Sequence, residues 1–230
     1  MRARRETGRR MVKFNDKADL AFPSFFLERI YDDTEDLNYE LAKLARRVCT
    51  RLVGAAGAPA GGGLRSEGNL FDLPGEAVRL LKAMILDAGV AYLQKLGPRL
   101  YELDGPFAGR LEVAGWAQIL RAGQPIERHT HRSCLYTGSY YARVPKAIVL
   151  DKSEGGDLVL DHPVPAELLG DGVLPIKRRI HIRIEEGLLV LLPSYIPHAV
   201  PSFVGGGERI AISYELRAVP EVAVRGEAGR

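Results

Sequence analysis

The chain has 230 residues, 46% hydrophobic and 27% charged, with a net charge of +3; this suits one large domain with its own core and excludes a disordered or fibrous chain. No apolar run approaches the roughly 20 residues that span a bilayer, and two cysteines, Cys49 and Cys134, in no CxxC pattern exclude a disulfide scaffold or a zinc ribbon and favour a reducing, cytoplasmic setting. The first ten residues, MRARRETGRR, carry +4 and the remainder −1, so the positive charge belongs to a solvated tail and no basic groove for nucleic acid is indicated.

The basic start runs into MVKFNDKADL, which is not the apolar core of an export signal. Residues 34–53 read as a helix: Leu37, Leu41, Leu44, Val48 and Leu52 recur at three- and four-residue spacing, and Asp33 or Thr34 can cap it. GAAGAPAGGG then breaks regular structure. Residues 75–96 form a second helical pattern that ends at Gly97-Pro98. The first third is therefore expected to be mainly helical.

From about residue 110 the pattern changes to short strands. LEVAGWAQIL, LYTGSYYARV, GDLVLDH, RRIHIRIEE, LLVLLP and ERIAISYEL each alternate or run apolar, and Gly and Pro turns separate them. Helices first and strands after predict one α+β domain, and a closed double-sheet jelly roll fits the strand count.

Of the five histidines, His129 and His131 are two residues apart. On an extended segment both imidazoles leave one face, which makes a ready grip for a metal. His198 follows an apolar strand at a proline-bracketed turn, a suitable place for a third ligand. His181, between two arginines, reads as solvent-facing, His162 as a turn residue, and Cys134 as a small core residue. In the last strand Ile210, Ile212, Tyr214 and Leu216 form one face and Arg209, Ala211 and Ser213 the other. If the apolar face packs on the helices, Arg209 looks into the barrel. A buried guanidinium needs an anion, and no acid on the neighbouring strands is an obvious partner. A bound dianion would satisfy it, with a hydroxyl from Ser213.

These residues form a pattern. His129-Thr-His131, TGSYYARVP, GLLVLLPSYIPH and RIAIS together resemble the iron(II)- and 2-oxoglutarate-dependent oxygenases, in particular a bacterial 2OG-Fe(II) oxygenase subfamily related to the prolyl hydroxylases. FPSFF, LNYELA and LRSEGNLFDLP in the N-terminal half are similar as well. The resemblance implies a double-stranded β-helix with N-terminal helices packed on the major sheet. It implies a basic tail over 1–12, one domain over 13–218 (helical to about 105) and a C-terminal tail over 219–230. It implies iron(II) at His129, His131 and His198, and 2-oxoglutarate held by Arg209 and Ser213, with Tyr140 or Tyr141 as a further hydroxyl. The implied activity is that of a dioxygenase that uses O2 and hydroxylates a small molecule, an amino acid or a peptidyl side chain; a homodimer is compatible with this architecture, and charge and hydropathy point to no nucleic-acid or membrane partner.

One position departs from the superfamily. His131 stands where most members have Asp or Glu, so three neutral imidazoles would surround the metal. The alternative is that Asp161 or Glu127 supplies a carboxylate in place of His131. Two other functions stay open. A cupin-like metalloprotein (dioxygenase, isomerase or ligand binder) shares some spacing, but RSCLY after His131 lacks the expected Glu, and Arg209 has no role there. A catalytically inactive binding barrel is the other. The loops GAPAGGGLRSEGN and VPKAIVLDKSEGG are expected to border the entrance and to set the substrate.

Overall fold

A computed structural model describes residues 24–52, 63–101, 107, 109–150, 155–168 and 177–220. The expected basic tail, residues 221–230 of the expected C-terminal tail, most of the glycine-rich segment and residues 151–154 of the second entrance loop lie outside these. In chain order the elements are β1 (Leu27–Ile30), α1 (Glu35–Val48), β2 (Cys49–Leu52), β3 (Leu64–Ser66), α2 (Glu76–Leu100), β4 (Gly109–Leu120), β5 (Ile126–His129), β6 (Tyr136–Arg143), α3 (Lys146–Leu150), β7 (Leu158–Asp161), β8 (Arg179–Ile182), β9 (Leu188–Pro193), β10 (His198–Val200) and β11 (Arg209–Pro220). The strands make two antiparallel sheets: a major one ordered β1-β9-β6-β11-β4-β3-β2 and a minor one ordered β5-β10-β7-β8. This is the double-stranded β-helix, and α1 and α2 cover the outer face of its major sheet.

The apolar periodicity of α1 puts Leu37, Leu41 and Leu44 in the core, with Ala42 and Ala45 beside them. Glu35 and Asp36 in its first turn and Arg46 and Arg47 in its last complement the helix dipole. The helix ends at Val48, earlier than its pattern suggested, because Cys49–Leu52 pairs with β3 instead. The second helix, in turn, passes through Gly97-Pro98. Pro98 sits in the last turn, where it removes a single donor, and the Tyr101 N–H still closes on the Gly97 carbonyl at 2.9 Å.

The first third is not only helical. β1, β2 and β3 are drawn from it: β1 and β2 form the two edges of the major sheet, and β3 joins β2 to β4. Each has three or four residues, too few for alternation to stand out. β11 also runs to Pro220, paired with Gly109, two residues past the expected domain end.

Both faces of the major sheet are covered, and this explains its central sequences. In β9, Leu189 and Leu191 join the layer under the helices, while Leu188, Val190 and Leu192 join the layer between the sheets. A strand buried on both sides reads as a continuous apolar run, as LLVLLP does. In β11, Ile210, Ile212, Tyr214 and Leu216 pack under the helices and Ala211 faces the inter-sheet layer, the orientation expected from alternation. Gly138 in β6 lets the Tyr214 ring pass: the Tyr214 hydroxyl donates to the Val190 carbonyl at 2.7 Å, and a Cβ on Gly138 would strike both groups.

Candidate metal and anion site

Between the sheets lies a cavity of about 440 Å³, lined on the β11 side by Arg209, Ser213 and Glu215 and on the minor-sheet side by His129, His131 and His198. That volume suits a small cosubstrate together with part of a substrate.

The three histidines come together through strand pairing. His129 ends β5 and His198 begins β10, and they are direct partners across the antiparallel ladder. Their ring centres are 4.4 Å apart, and His131 lies 5.2 and 5.3 Å from them. His131 is held by its backbone, whose N–H donates to the Ser194 carbonyl at 3.0 Å in the turn before β10. That turn is closed by the Ile196 N–H on the Pro193 carbonyl. His129, His131 and His198 form one of two groups of potential metal-ligating side chains among the described residues, with donor atoms within 4.8 Å of one another.

Each imidazole has its Nδ1 beside an acceptor. His129 Nδ1 lies 2.8 Å from the Glu127 carbonyl and His198 Nδ1 3.0 Å from the Ile196 carbonyl. His131 Nδ1 lies 2.8 Å from the Glu215 carboxylate. A carbonyl or a carboxylate can only accept, so each Nδ1 carries a proton and each Nε2 is the atom turned away from these acceptors. Burial pushes His198 down to about 3 and also lowers His129, and the neighbouring rings add to both shifts. Both rings are therefore neutral at ordinary pH. This donor set fits a divalent transition metal.

Arg209 is 2% exposed. Its Nε donates to the Gly156 carbonyl at 2.9 Å, and its guanidinium lies 5.0 Å from the centre of the Tyr141 ring. Burial lowers its pKa, and Tyr141 and Asp157 oppose the shift. Asp157 is thus a buried acid near Arg209 that the sequence reading missed. It sits just before β7 and is engaged by Arg183 at 3.0 Å.

The two candidate tyrosines separate as alternation requires. Tyr140 points to the helices and donates to Asn38 Oδ1 on α1 at 2.7 Å; burial pushes it up to about 12. Tyr141 faces the inter-sheet layer. Its buried hydroxyl makes no hydrogen bond of good geometry, yet it is near enough to Arg209 for the cation to offset part of the rise that burial imposes. Ser213 Oγ lies 3.2 Å from Ser139 Oγ, and both line the cavity.

Glu127 and Asp161 do not join the histidines. The Glu127 side chain is exposed, and Asp161 is held by Arg128 at 3.0 Å and Arg179 at 2.9 Å. His162 closes a local turn, accepting from the Val164 N–H. His181 is half-buried, not solvent-facing, since it pairs with Val159 of β7. Cys134 is not a core residue either. It is half-exposed beside His131 and Glu215, and burial of its thiol pushes it up to about 12.

Glu215 escaped the sequence reading, although continuing the Arg209, Ala211, Ser213 alternation by one step reaches it. Its hydrogen bond to His131 holds it below the usual carboxylate range, against the pull of burial. Trp116 and Arg65 also escaped. Trp116 stacks near His131, with centres 6.0 Å apart at 21°, and the Arg65 guanidinium lies 3.9 Å over the indole. No short motif marks either residue.

Residues 114–215 match the family described as "Putative 2OG-Fe(II) oxygenase". No curated protein matches the chain. Among solved structures, a prolyl-4-hydroxylase of Pseudomonas putida has a TM-score of 0.55 at 20% identity, over 84% of this chain and 91% of that one. A prolyl hydroxylase of Trichoplax adhaerens, in complex with a hypoxia inducible factor oxygen degradation domain peptide, has a TM-score of 0.55 at 15% identity over 84% and 83%. A non-haem α-ketoglutarate-dependent epimerase from nogalamycin biosynthesis has a TM-score of 0.54 at 14% identity over 84% and 78%. Identities this low establish a shared fold. No helix among the described residues is long and apolar enough to cross a membrane. The family match covers the strand core of this double-stranded β-helix, from β4 to β11, and is what that part of the chain is similar to.

Proposed function

We propose that the protein is an iron(II)- and 2-oxoglutarate-dependent dioxygenase that hydroxylates a small molecule, an amino acid or a peptidyl side chain, with His129, His131 and His198 as the metal ligands. One observation carries this reading: three imidazoles, each with Nδ1 turned to an acceptor, share a single cavity with a buried arginine. The metal set alone would suit a cupin-like protein. Arg209 is what favours a dianionic cosubstrate: it lines the cavity at 2% exposure, and the nearby Asp157 is already engaged by Arg183.

The chain's own residues divide the work along β11. Arg209 receives the distal carboxylate of 2-oxoglutarate, Ser213 offers a hydroxyl, and the Tyr141 O–H finds in that carboxylate the acceptor it otherwise lacks. Glu215, on the same face of β11, stands at the histidine end. Bound iron supplies the oxygen-activating chemistry that couples decarboxylation of 2-oxoglutarate to oxidation of the substrate. Apolar walls from Leu158, Leu192 and Val200 keep water from the reacting groups.

The test is calorimetry on the purified chain under anaerobic conditions, with iron(II) and then 2-oxoglutarate, followed by a succinate assay in air. Metal-dependent 2-oxoglutarate binding and succinate release are expected. Arg209→Ala should keep the metal and lose the cosubstrate. Arg209→Lys should not restore it, since an ammonium cannot make the two-pronged contact. Wild-type protein that binds iron but no 2-oxoglutarate overturns the reading.

A further inference from the structure

We propose that Glu215 acts through His131 as a positioning residue that returns to the metal centre the negative charge its three-histidine ligand set lacks. The inference rests on His129, His131 and His198 being the ligands.

The three imidazoles are not equivalent. His129 and His198 point Nδ1 at peptide carbonyls, of Glu127 and Ile196. Only His131 points Nδ1 at a carboxylate, at 2.8 Å, with the two side chains 10% and 20% exposed. His131 is also the residue that occupies the acid's position in the His-x-Asp pattern. The acid missing from the ligand set is thus present one imidazole away, behind the residue that replaced it.

The physical effect has two parts. Three neutral imidazoles leave a divalent metal at +2, and a carboxylate on the Nδ1–H of one of them brings the local sum to +1, as a carboxylate ligand would. The same hydrogen bond draws the Nδ1 proton outward and makes Nε2 a stronger donor. It also fixes the ring. His131 lies parallel to His198, at 2° and 5.3 Å between centres, with Trp116 at 21°.

Among the described residues, His131 makes the close contact to Glu215, at 2.8 Å. Arg217 approaches the other carboxylate oxygen at 3.9 Å, beyond hydrogen-bond distance, from a side chain 55% exposed. Arg65 and Cys134 act on Glu215 or sit near it as well. Cys134 raises the competing arrangement, since His131, Cys134 and Glu215 also form a group with donor atoms within 4.8 Å. In that arrangement Glu215 would be a ligand of a second metal and not a positioning residue.

The experiment measures cobalt(II) affinity, stoichiometry and ligand-field absorption on the full chain, for wild type, Glu215→Gln, Glu215→Ala, Cys134→Ser and His198→Ala. Glu215→Gln keeps an acceptor for His131 and removes the charge. It should weaken binding about 10-fold and shift the absorption bands, and Glu215→Ala should weaken it by up to about 100-fold. Cys134→Ser should match wild type, at one metal per chain. Circular dichroism of the metal-free variants shows that the fold is kept, and the shifted bands exclude a merely structural role. If wild type binds one metal, His198→Ala loses it, and both Glu215 variants match wild type, this inference alone is overturned. A second equivalent lost in Cys134→Ser overturns it as well. Wild type without metal, or His198→Ala with unchanged affinity, overturns the metal reading and this inference with it.

Discussion

His129 and His198 face each other across the β5–β10 ladder, 69 residues apart in the chain and 4.4 Å apart between ring centres. Antiparallel pairing of two strands of four and three residues is what makes them neighbours. Neither strand is long enough to hold that register without the surrounding sheet.

Replacing either residue by Ala should abolish measurable metal binding while the metal-free chain still folds. Each ring makes one hydrogen bond to a carbonyl two residues before it, worth about 1 kcal/mol. Metal titration against melting of the metal-free protein checks this, and a fall in melting temperature of more than about 5 °C would mean that the histidines have a structural role.

Tyr140 and Tyr141 should respond in opposite ways to loss of the hydroxyl. Tyr140→Phe leaves the buried Asn38 amide oxygen without its donor and should cost about 1–3 kcal/mol, with 2-oxoglutarate affinity unchanged. Tyr141→Phe removes a buried hydroxyl that makes no hydrogen bond of good geometry among the described residues. It should leave the stability equal or raised and should weaken 2-oxoglutarate. Chemical denaturation and calorimetry on the two variants separate the effects.

Gly138→Ala should destabilise the chain by about 1–3 kcal/mol, as overpacking does. The added methyl collides with the Val190 carbonyl and the Tyr214 ring, and the Tyr214–Val190 bond must lengthen. Tyr214→Phe in the same background should recover part of the loss. Additive costs in the double variant would disprove the clash.

Glu208 joins three parts of the fold, accepting from Arg46 of α1 and from Arg121 after β4, both at 2.8 Å. The hydrogen bond from Arg46 comes first among the causes that hold its pKa below 4.5. A depressed carboxylate stabilises the fold above its unfolded-state pKa, and that contribution is lost as pH falls through the folded value. Both arginines are about half exposed, so the contribution is at most about 1 kcal/mol. Glu208→Gln should lower stability by that amount at neutral pH, and the gap should close below pH 4.5. Denaturant midpoints at several pH values measure it; a gap that stays constant into acid would refute the assignment.

Much of the site was legible in the chain itself. His129, His131 and His198 stood out because histidine is scarce here and two of them share a strand face. Arg209 stood out because alternation in ERIAISYEL puts a cation on the face opposite Ile210, Ile212 and Tyr214. The same alternation separated Tyr140 from Tyr141. Periodicity is a local property, and it survives wherever one face meets a core.

The tertiary structure decided what local pattern cannot carry. Cys49–Leu52 left its helix because a free sheet edge offered it partners. Asp157 became a neighbour of Arg209 through the packing of one sheet on the other. Glu215 met His131 from 84 residues away, and Trp116 and Arg65 closed over the same ring. Sequence determines which face a side chain leaves from; only the closed pair of sheets determines what stands opposite, because that distance depends on strands that pair far apart in the chain.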